Sequence, residues 1–245
     1  MITLSLDTSH PVGSVSLARD GELLGSETFR EPSSHLVALG HALDQLLVSA
    51  ALTPAGIDRL AVVTGPGSFT GLRIGLSFAK GLHAARNIPM VTVNALQLLA
   101  LPWLAPGARV CAMIDARRGE VYAALYQRAS SEALLADASA AHELVAPQAQ
   151  TPEKWLATLK DAPEVLVGTG AFAHRDVLRA ACPGAMIVEG AAMYPSTLHL
   201  AQIAHGMPAL EEKAVRSLEP FYVRESGAEQ VRLRAIARHA EGLDG

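Results

Sequence analysis

The stretch Thr64-Gly65-Pro66-Gly67-Ser68-Phe69-Thr70-Gly71-Leu72-Arg73-Ile74-Gly75 has the composition of a phosphate cradle: glycines, hydroxyls and the start of a helix. Three catalytic templates can be laid on it, and each fails at a specific residue. A P-loop needs a Gly–Lys pair followed by Ser or Thr, and Lys80 comes two helical turns too late. A dinucleotide fingerprint needs a third glycine where Thr70 stands, with Gly71 one place late, and an acid after a second strand. A serine-hydrolase elbow needs G-x-S-x-G, whereas Ser68 follows Gly67 directly and Pro66 occupies the first glycine position. What survives is a Gly-Pro-Gly turn into a helix N-terminus. Its free N–H groups and helix dipole attract an anion, or Ser68 or Thr70 simply caps the helix.

Asp7 and Asp115 each end an apolar, strand-like run, at Leu6-Asp7-Thr8 and Ile114-Asp115-Ala116. Strand-end aspartates of this kind hold a metal or water near phosphates in nucleotide-binding folds. The plainer alternative is a turn aspartate bonding its own backbone. An anion or nucleotide site would draw weakly on Asp7, Thr8, Ser9, Gly65, Gly67, Asp115, Arg117 and Gly168. The histidines have no metal-ligand spacing: His35 and His41 are six apart, as are His199 and His205, and no H-E-x-x-H occurs. Cys111 and Cys182 form no C-x-x-C pair, and Cys111 sits in an apolar run as a small core residue. No catalytic residue and no metal site is expected.

The elements that must position these residues follow from periodicity. Ile2, Leu4 and Leu6 alternate, Val15 and Leu17 resume after a turn, and Asp20-Gly21 is a hairpin signal before a third strand at 23–29. Pro32-Ser33-Ser34 offers an N-cap to a helix over 35–51 with Leu36, Leu39, Leu43, Leu46 and Leu47 at helical spacing. Strand 60–63, helix 70–86, strand 90–93 and helix 95–104 follow. The pattern then restarts, with strands at 109–114 and 121–126 and a weak third near 133–135. Helix 155–160, strand 165–167, the Gly168-Thr169-Gly170 turn, helix 171–181, strand 186–188 and helix 196–205 complete it. A strand–Asp–turn and a strand–Gly-x-Gly–helix thus occur twice, about a hundred residues apart, which predicts two lobes of one architecture. The expected fold is α/β, two ribonuclease H-like lobes in the actin, Hsp70 and sugar-kinase (ASKHA) arrangement. The lobes are placed at 1–104 and 105–225, with helix 196–205 packing back on the first lobe and a helical tail at 226–245.

The helix over 70–86 is unusually apolar. Gly71, Gly75 and Ala79 recur at i, i+4 and i+8, and an interior glycine costs about 1 kcal/mol against alanine, so something approaches this backbone closely. Ile74, Phe78 and Leu82 form a second stripe suited to the sheet, and Leu72 and Leu76 a third, leaving only Arg73, Ser77 and Lys80 polar. Such a helix is internal or covered by a partner. The expected partner surface is Leu36, Leu39 and Leu43 with Gly71, Leu72, Gly75, Leu76 and Ala79.

Charge excludes some classes. With 20 basic against 24 acidic side chains the net charge is −4, and the basic residues near the end, Arg232, Arg234 and Arg238, interleave with acids. A chain that grips nucleic acid alone shows a basic face. The most apolar run, 95–105, is broken by Gln97 and Pro102 and is too short to span a bilayer. A strand-like pattern already at Ile2 leaves no room for a signal peptide, so a cytoplasmic protein without membrane contact is expected.

Asp7-Thr8-Ser9, the run from Gly65 to Gly75, Asp115-Ala116-Arg117-Arg118-Gly119-Glu120-Val121-Tyr122 and the closing Pro220-Phe221-Tyr222-Val223-Arg224 resemble the TsaB (YeaZ) family over residues 1 to about 225. The resemblance implies a non-catalytic, glycoprotease-like (M22) paralogue of TsaD, the transferase that makes threonylcarbamoyladenosine at adenosine 37 of tRNAs reading codons that start with A. TsaD-like proteins hold metal through two histidines four apart after the strand that follows the Gly-rich helix. Ala95 and Leu99 stand at those places here, and no acid occurs between Gly190 and Gly206. The implied partners are TsaD, through helices 34–51 and 70–86, and the ATPase TsaE in a ternary complex, with a homodimer through the same helices when alone and tRNA touched only indirectly. No cofactor is expected beyond weak nucleotide binding. The alternative is an ATP-binding enzyme of this fold using Asp7 and Asp115. An M22-type protease ranks last, for it lacks both a metal pair and an elbow serine.

Overall fold

Along β1 (Ile2–Asp7), Ile2, Leu4 and Leu6 alternate with Thr3, Ser5 and Asp7, and both sets are buried. A strand buried on both faces belongs in the middle of a sheet with layers above and below. In the computed structural model, which describes residues 1–30, 35–128 and 141–224, β1 is central. It pairs antiparallel with β2 (Gly13–Arg19), which pairs with β3 (Glu22–Phe29), and parallel with β4 (Arg59–Gly65), which pairs with β5 (Met90–Asn94). The order is β3-β2-β1-β4-β5.

The leucine face of β1 joins Val15, Leu17, Leu60 and Val62 in a core under α1 (His35–Ser49) and α2 (Phe69–Arg86). The other face carries Thr3, Ser5 and Ser16, and α7 (Thr197–Gly206) lies over it. There the Ser16 hydroxyl donates to the Thr197 carbonyl at 2.9 Å. Helix α7 comes from the far end of the chain, yet it packs on β1 and β2.

The second sheet repeats this order. Strand β6 (Arg109–Arg117) is central, with β7 (Glu120–Arg128) and β8 (Ala141–Gln150) antiparallel on one side and β9 (Val165–Val167) and β10 (Met186–Ile187) parallel on the other. This is a two-lobed, ribonuclease H-like α/β fold. On the outer face, Cys111, Met113 and Leu166 pack with Trp155, Ala171 and Leu178 from α4 (Pro152–Ala157), α5 (Thr169–Ala173) and α6 (Arg175–Ala181). The Trp155 indole donates to the Cys111 sulfur at 3.1 Å, and burial pushes that thiol up to about 12, so it offers no thiolate at neutral pH.

The inner faces of the two sheets share one apolar cluster. Ala61, Val63, Val91 and Val93 meet Val110, Ala112, Ile114 and Tyr126 through Leu96 and Leu99 of α3 (Ala95–Ala100) and Leu200 and Ile203 of α7. After α7 the chain returns over the first lobe as a strap. The Leu210 N–H donates to the Met90 carbonyl at 2.8 Å, α8 (Glu212–Ser217) buries Val215 in the first core, and the Phe221 N–H donates to the Thr64 carbonyl at 2.8 Å. Arg224 then pairs with Glu120 of β7.

Several expectations change. The weak strand near 133–135 lies outside the described residues, as do the Ser33-Ser34 cap and the 226–245 tail. The third strand of the second sheet is β8, unread because its Glu143, Pro147 and Gln148 suit an exposed edge rather than a core strand. Helix 171–181 is two short helices meeting at His174, which leaves helical dihedrals (φ −110°, ψ 23°). Helix 95–104 stops at Ala100 and continues as one 3-10 turn over 101–103. The strap and α8 had no counterpart in the sequence reading.

Candidate functional site

The Gly-rich turn and the turn after β1 are built against each other. The Ser68 N–H donates to the Ser9 carbonyl at 2.7 Å, and the Ser68 hydroxyl caps α2 by accepting from the Gly71 N–H at 3.2 Å. A side-chain carbon at Gly67 would lie 2.3 Å from the Ser9 carbonyl oxygen, at Gly71 2.0 Å from the Thr8 carbonyl oxygen, and at Gly75 2.2 Å from the Thr8 hydroxyl. The Thr8 hydroxyl donates to the Gly71 carbonyl at 2.7 Å. The close approach that the glycine stripe signals is therefore made by this chain's own Thr8-Ser9 turn.

That corrects the expected partner surface. Leu39, Leu43, Gly71, Leu72, Gly75, Leu76 and Ala79 are buried inside the first lobe, and of the eight residues only Leu36 is exposed, at 52 %. The helix faces are the reverse of those expected. The glycine stripe goes inward, because it alone allows so close an approach, and Ile74 and Phe78 are half-buried at the edge of the helix, Phe78 still touching the first core. With Leu36, Phe69, Thr70, Arg73 and Ser77 they line a groove of about 540 Å³ along α1 and α2. Val37 and Val48 of α1 are also exposed, at 59 % and 80 %. Tyr222 of the strap stacks on the groove residue Phe69 with ring centroids 5.1 Å apart, a contact that no periodicity in the sequence could have placed there.

The two aspartates make matching turns. Asp7 Oδ1 accepts from the Ser9 N–H at 2.8 Å and from the Ser9 hydroxyl at 2.6 Å, and Asp115 Oδ1 accepts from the Arg117 N–H at 2.8 Å. His10 Nδ1 lies 2.7 Å from the Ser9 oxygen, and burial holds its pKa below the usual imidazole value, against the pull of Asp7. Since Ser9 donates to Asp7, His10 Nδ1 is the donor in that pair.

Asp7, Thr8 and Ser9 are each no more than 2 % exposed. In the second lobe, Thr169 Oγ1 accepts from the Asp115 N–H at 3.2 Å, and a side-chain carbon at Gly168 would sit 2.2 Å from the Met113 carbonyl oxygen. Arg117 is exposed, its guanidinium 3.6 Å from Asp115. The eight candidate phosphate residues thus form two knitted groups, one per lobe. Gly65, at φ +119°, has the Phe221 carbonyl oxygen of the strap where a side chain would go. The amides of Ser9 and Ser68 are spent within the protein, so the cradle offers an anion neither of them. Ala95 and Leu99 are core residues, and among the described residues no group of three His, Cys, Asp or Glu side chains could hold a metal ion.

Residues 31–230 match the family model described as TsaD: tRNA N6-adenosine threonylcarbamoyltransferase. The chain is 33% identical to the tRNA threonylcarbamoyladenosine biosynthesis protein TsaB of Escherichia coli (strain K12), with 93% of this chain and 96% of that one aligned. The chain belongs to the TsaB family. Its Bacillus subtilis (strain 168) relative, of the same name, is 29% identical over 94% of this chain and 96% of its own. The solved structure of YeaZ from Pseudomonas aeruginosa superposes with a TM-score of 0.70 at 27% identity, covering 90% of this chain and 99% of that one. The matched region takes in α1 and α2, which line the groove of this TsaB-family chain, and the strap, whose Tyr222 stacks on the groove residue Phe69. Among its described residues, no helix is long and apolar enough to cross a membrane.

Proposed function

We propose that this chain is a non-catalytic subunit in the formation of threonylcarbamoyladenosine in tRNA, acting in the cytoplasm by docking the TsaD transferase on the groove between α1 and α2. The observation that carries this reading is the groove itself. An apolar floor of Leu36, Ile74 and Phe78 on a surface helix pair leaves water-exposed area that a partner would cover. The aspartates that an enzyme of this fold would use are committed to their own turns, which favours a supporting role over chemistry on a nucleotide. The subunit would hold TsaD in a working geometry, with the ATPase TsaE joining the pair and tRNA reached through the partners.

The test is co-elution of the full chain with TsaD on size exclusion with mass detection. The paired change Leu36→Glu and Ser77→Glu abolishes co-elution and leaves the melting temperature of the isolated chain nearly unchanged, since both side chains are exposed on the open groove. Co-elution of the double variant like the wild type would sink the reading, as would a wild-type chain that never binds TsaD. Calorimetry with ATP and magnesium on the isolated chain gives no heat; a saturable signal favours the nucleotide-enzyme alternative instead.

A further inference from the structure

Among the described residues, Arg73 is the one charged side chain that lines the groove, and it is held in place from within the protein. Its guanidinium carbon lies 3.9 Å from the centroid of the Phe69 ring. Its Nε donates to the Tyr222 hydroxyl at 3.1 Å, and Tyr222 is fixed by stacking on Phe69. A free arginine loses much rotamer entropy when it binds, whereas this one is already ordered. Nε is used, so the two terminal nitrogens remain as the fork that grips a carboxylate. Among the described residues, this is the one hydrogen bond found for Arg73.

Among the described residues, the groove lining contains no acid to meet that fork. Helix α2 has none along its length, and α1 has only Asp44, eight residues beyond Leu36 and so about 12 Å along the axis. From the described groove lining, a second copy of this chain would bring another Arg73 and no carboxylate.

We propose that Arg73, clamped by Phe69 and Tyr222, is a carboxylate receptor on the rim of the groove that selects a TsaD helix carrying an Asp or Glu among apolar residues and disfavours pairing of this chain with itself. This rests on the docking reading above and adds its specificity: apolar area supplies contact, and one buried charge pair decides between partners.

The experiment titrates TsaD into the full chain, wild type and variants, at low and high salt, with self-association followed by sedimentation. Arg73→Gln weakens TsaD binding at least about tenfold at low salt, flattens its salt dependence and strengthens self-association. Tyr222→Phe keeps the charge but frees the guanidinium, and gives a smaller loss of binding with the salt dependence retained. Arg73→Glu is rescued by an Asp→Arg or Glu→Arg change at one acidic position on the TsaD face. Arg73 is exposed, so Arg73→Gln melts with the wild type; Arg73→Lys, which keeps charge and loses the fork, gives an intermediate affinity. Binding of Arg73→Gln within about twofold of wild type, with the same salt slope, overturns the proposal while leaving the docking reading standing. A wild-type chain that does not bind TsaD at all removes the docking reading first.

Discussion

A methyl group added to Gly71 has no space, because the nearest atom is a backbone oxygen of the Thr8 turn that cannot rotate away. Gly71→Ala should cost about 3 kcal/mol as the turn and helix are forced apart. The same chemical change at Gly81 of α2 meets nothing within 4 Å, and there Ala should stabilise by about 1 kcal/mol through helix propensity. Urea melts of the two variants, moving in opposite directions, check both. Histidine burial sets a pH limit. Burial holds the His10 and His199 imidazoles below their ordinary value of about 6.5. The unfolded chain therefore takes up protons that the folded one refuses, and stability is full above about pH 6.5 and falls as the pH drops toward the folded values. Thermal melts between pH 7.5 and 5.5 should show that loss, and His10→Asn should shrink it. At this scale the sequence told that something touches the glycine stripe but not what. Thr8 lies more than sixty residues earlier, and no local pattern names a partner at that separation.

At the level of elements, one lysine contributes two of the bonds that hold the strap. Lys80 Nζ of α2 donates to the carbonyls of Arg216 and Leu218 at 2.9 and 3.1 Å, the end of α8 where carbonyls lack partners. On the other side His83 Nε2 meets Glu212 at 2.8 Å. Lys80→Met keeps the aliphatic stem and loses both bonds. It should cost about 2 kcal/mol, read as faster amide exchange confined to α8 and the residues before Tyr222. The strands and long helices were legible because alternation and 3.6-residue spacing are imposed by burial on both faces of each sheet. The edge strand β8 and the strap were not, since an edge need not be apolar and a strap takes its conformation from the surface it crosses.

Across the whole molecule, the duplicated strand order was readable from the two strand–Asp turns, and helix 196–205 was placed back on the first lobe, but the single shared core was not readable. A kinase-like pair of lobes suggests two bodies, yet one apolar cluster runs through both inner faces by way of α3 and α7. The chain should unfold in a single step, with calorimetric and van't Hoff enthalpies equal. Leu200→Ala, fully buried in that cluster, should lower the stability of both lobes together by about 3 kcal/mol. Separate transitions reported by tryptophan fluorescence and by far-ultraviolet dichroism would count against it.

The strap adds a second tie, because it starts at α7, crosses the first lobe and ends on Glu120 of the second. Enzymes built on hinged lobes use a seam that opens; here the seam is filled and then stitched at its edge. Under the docking proposal, a molecule made this way would act as a bracket: whatever seats itself on the first lobe would find the second presented at a fixed angle and distance.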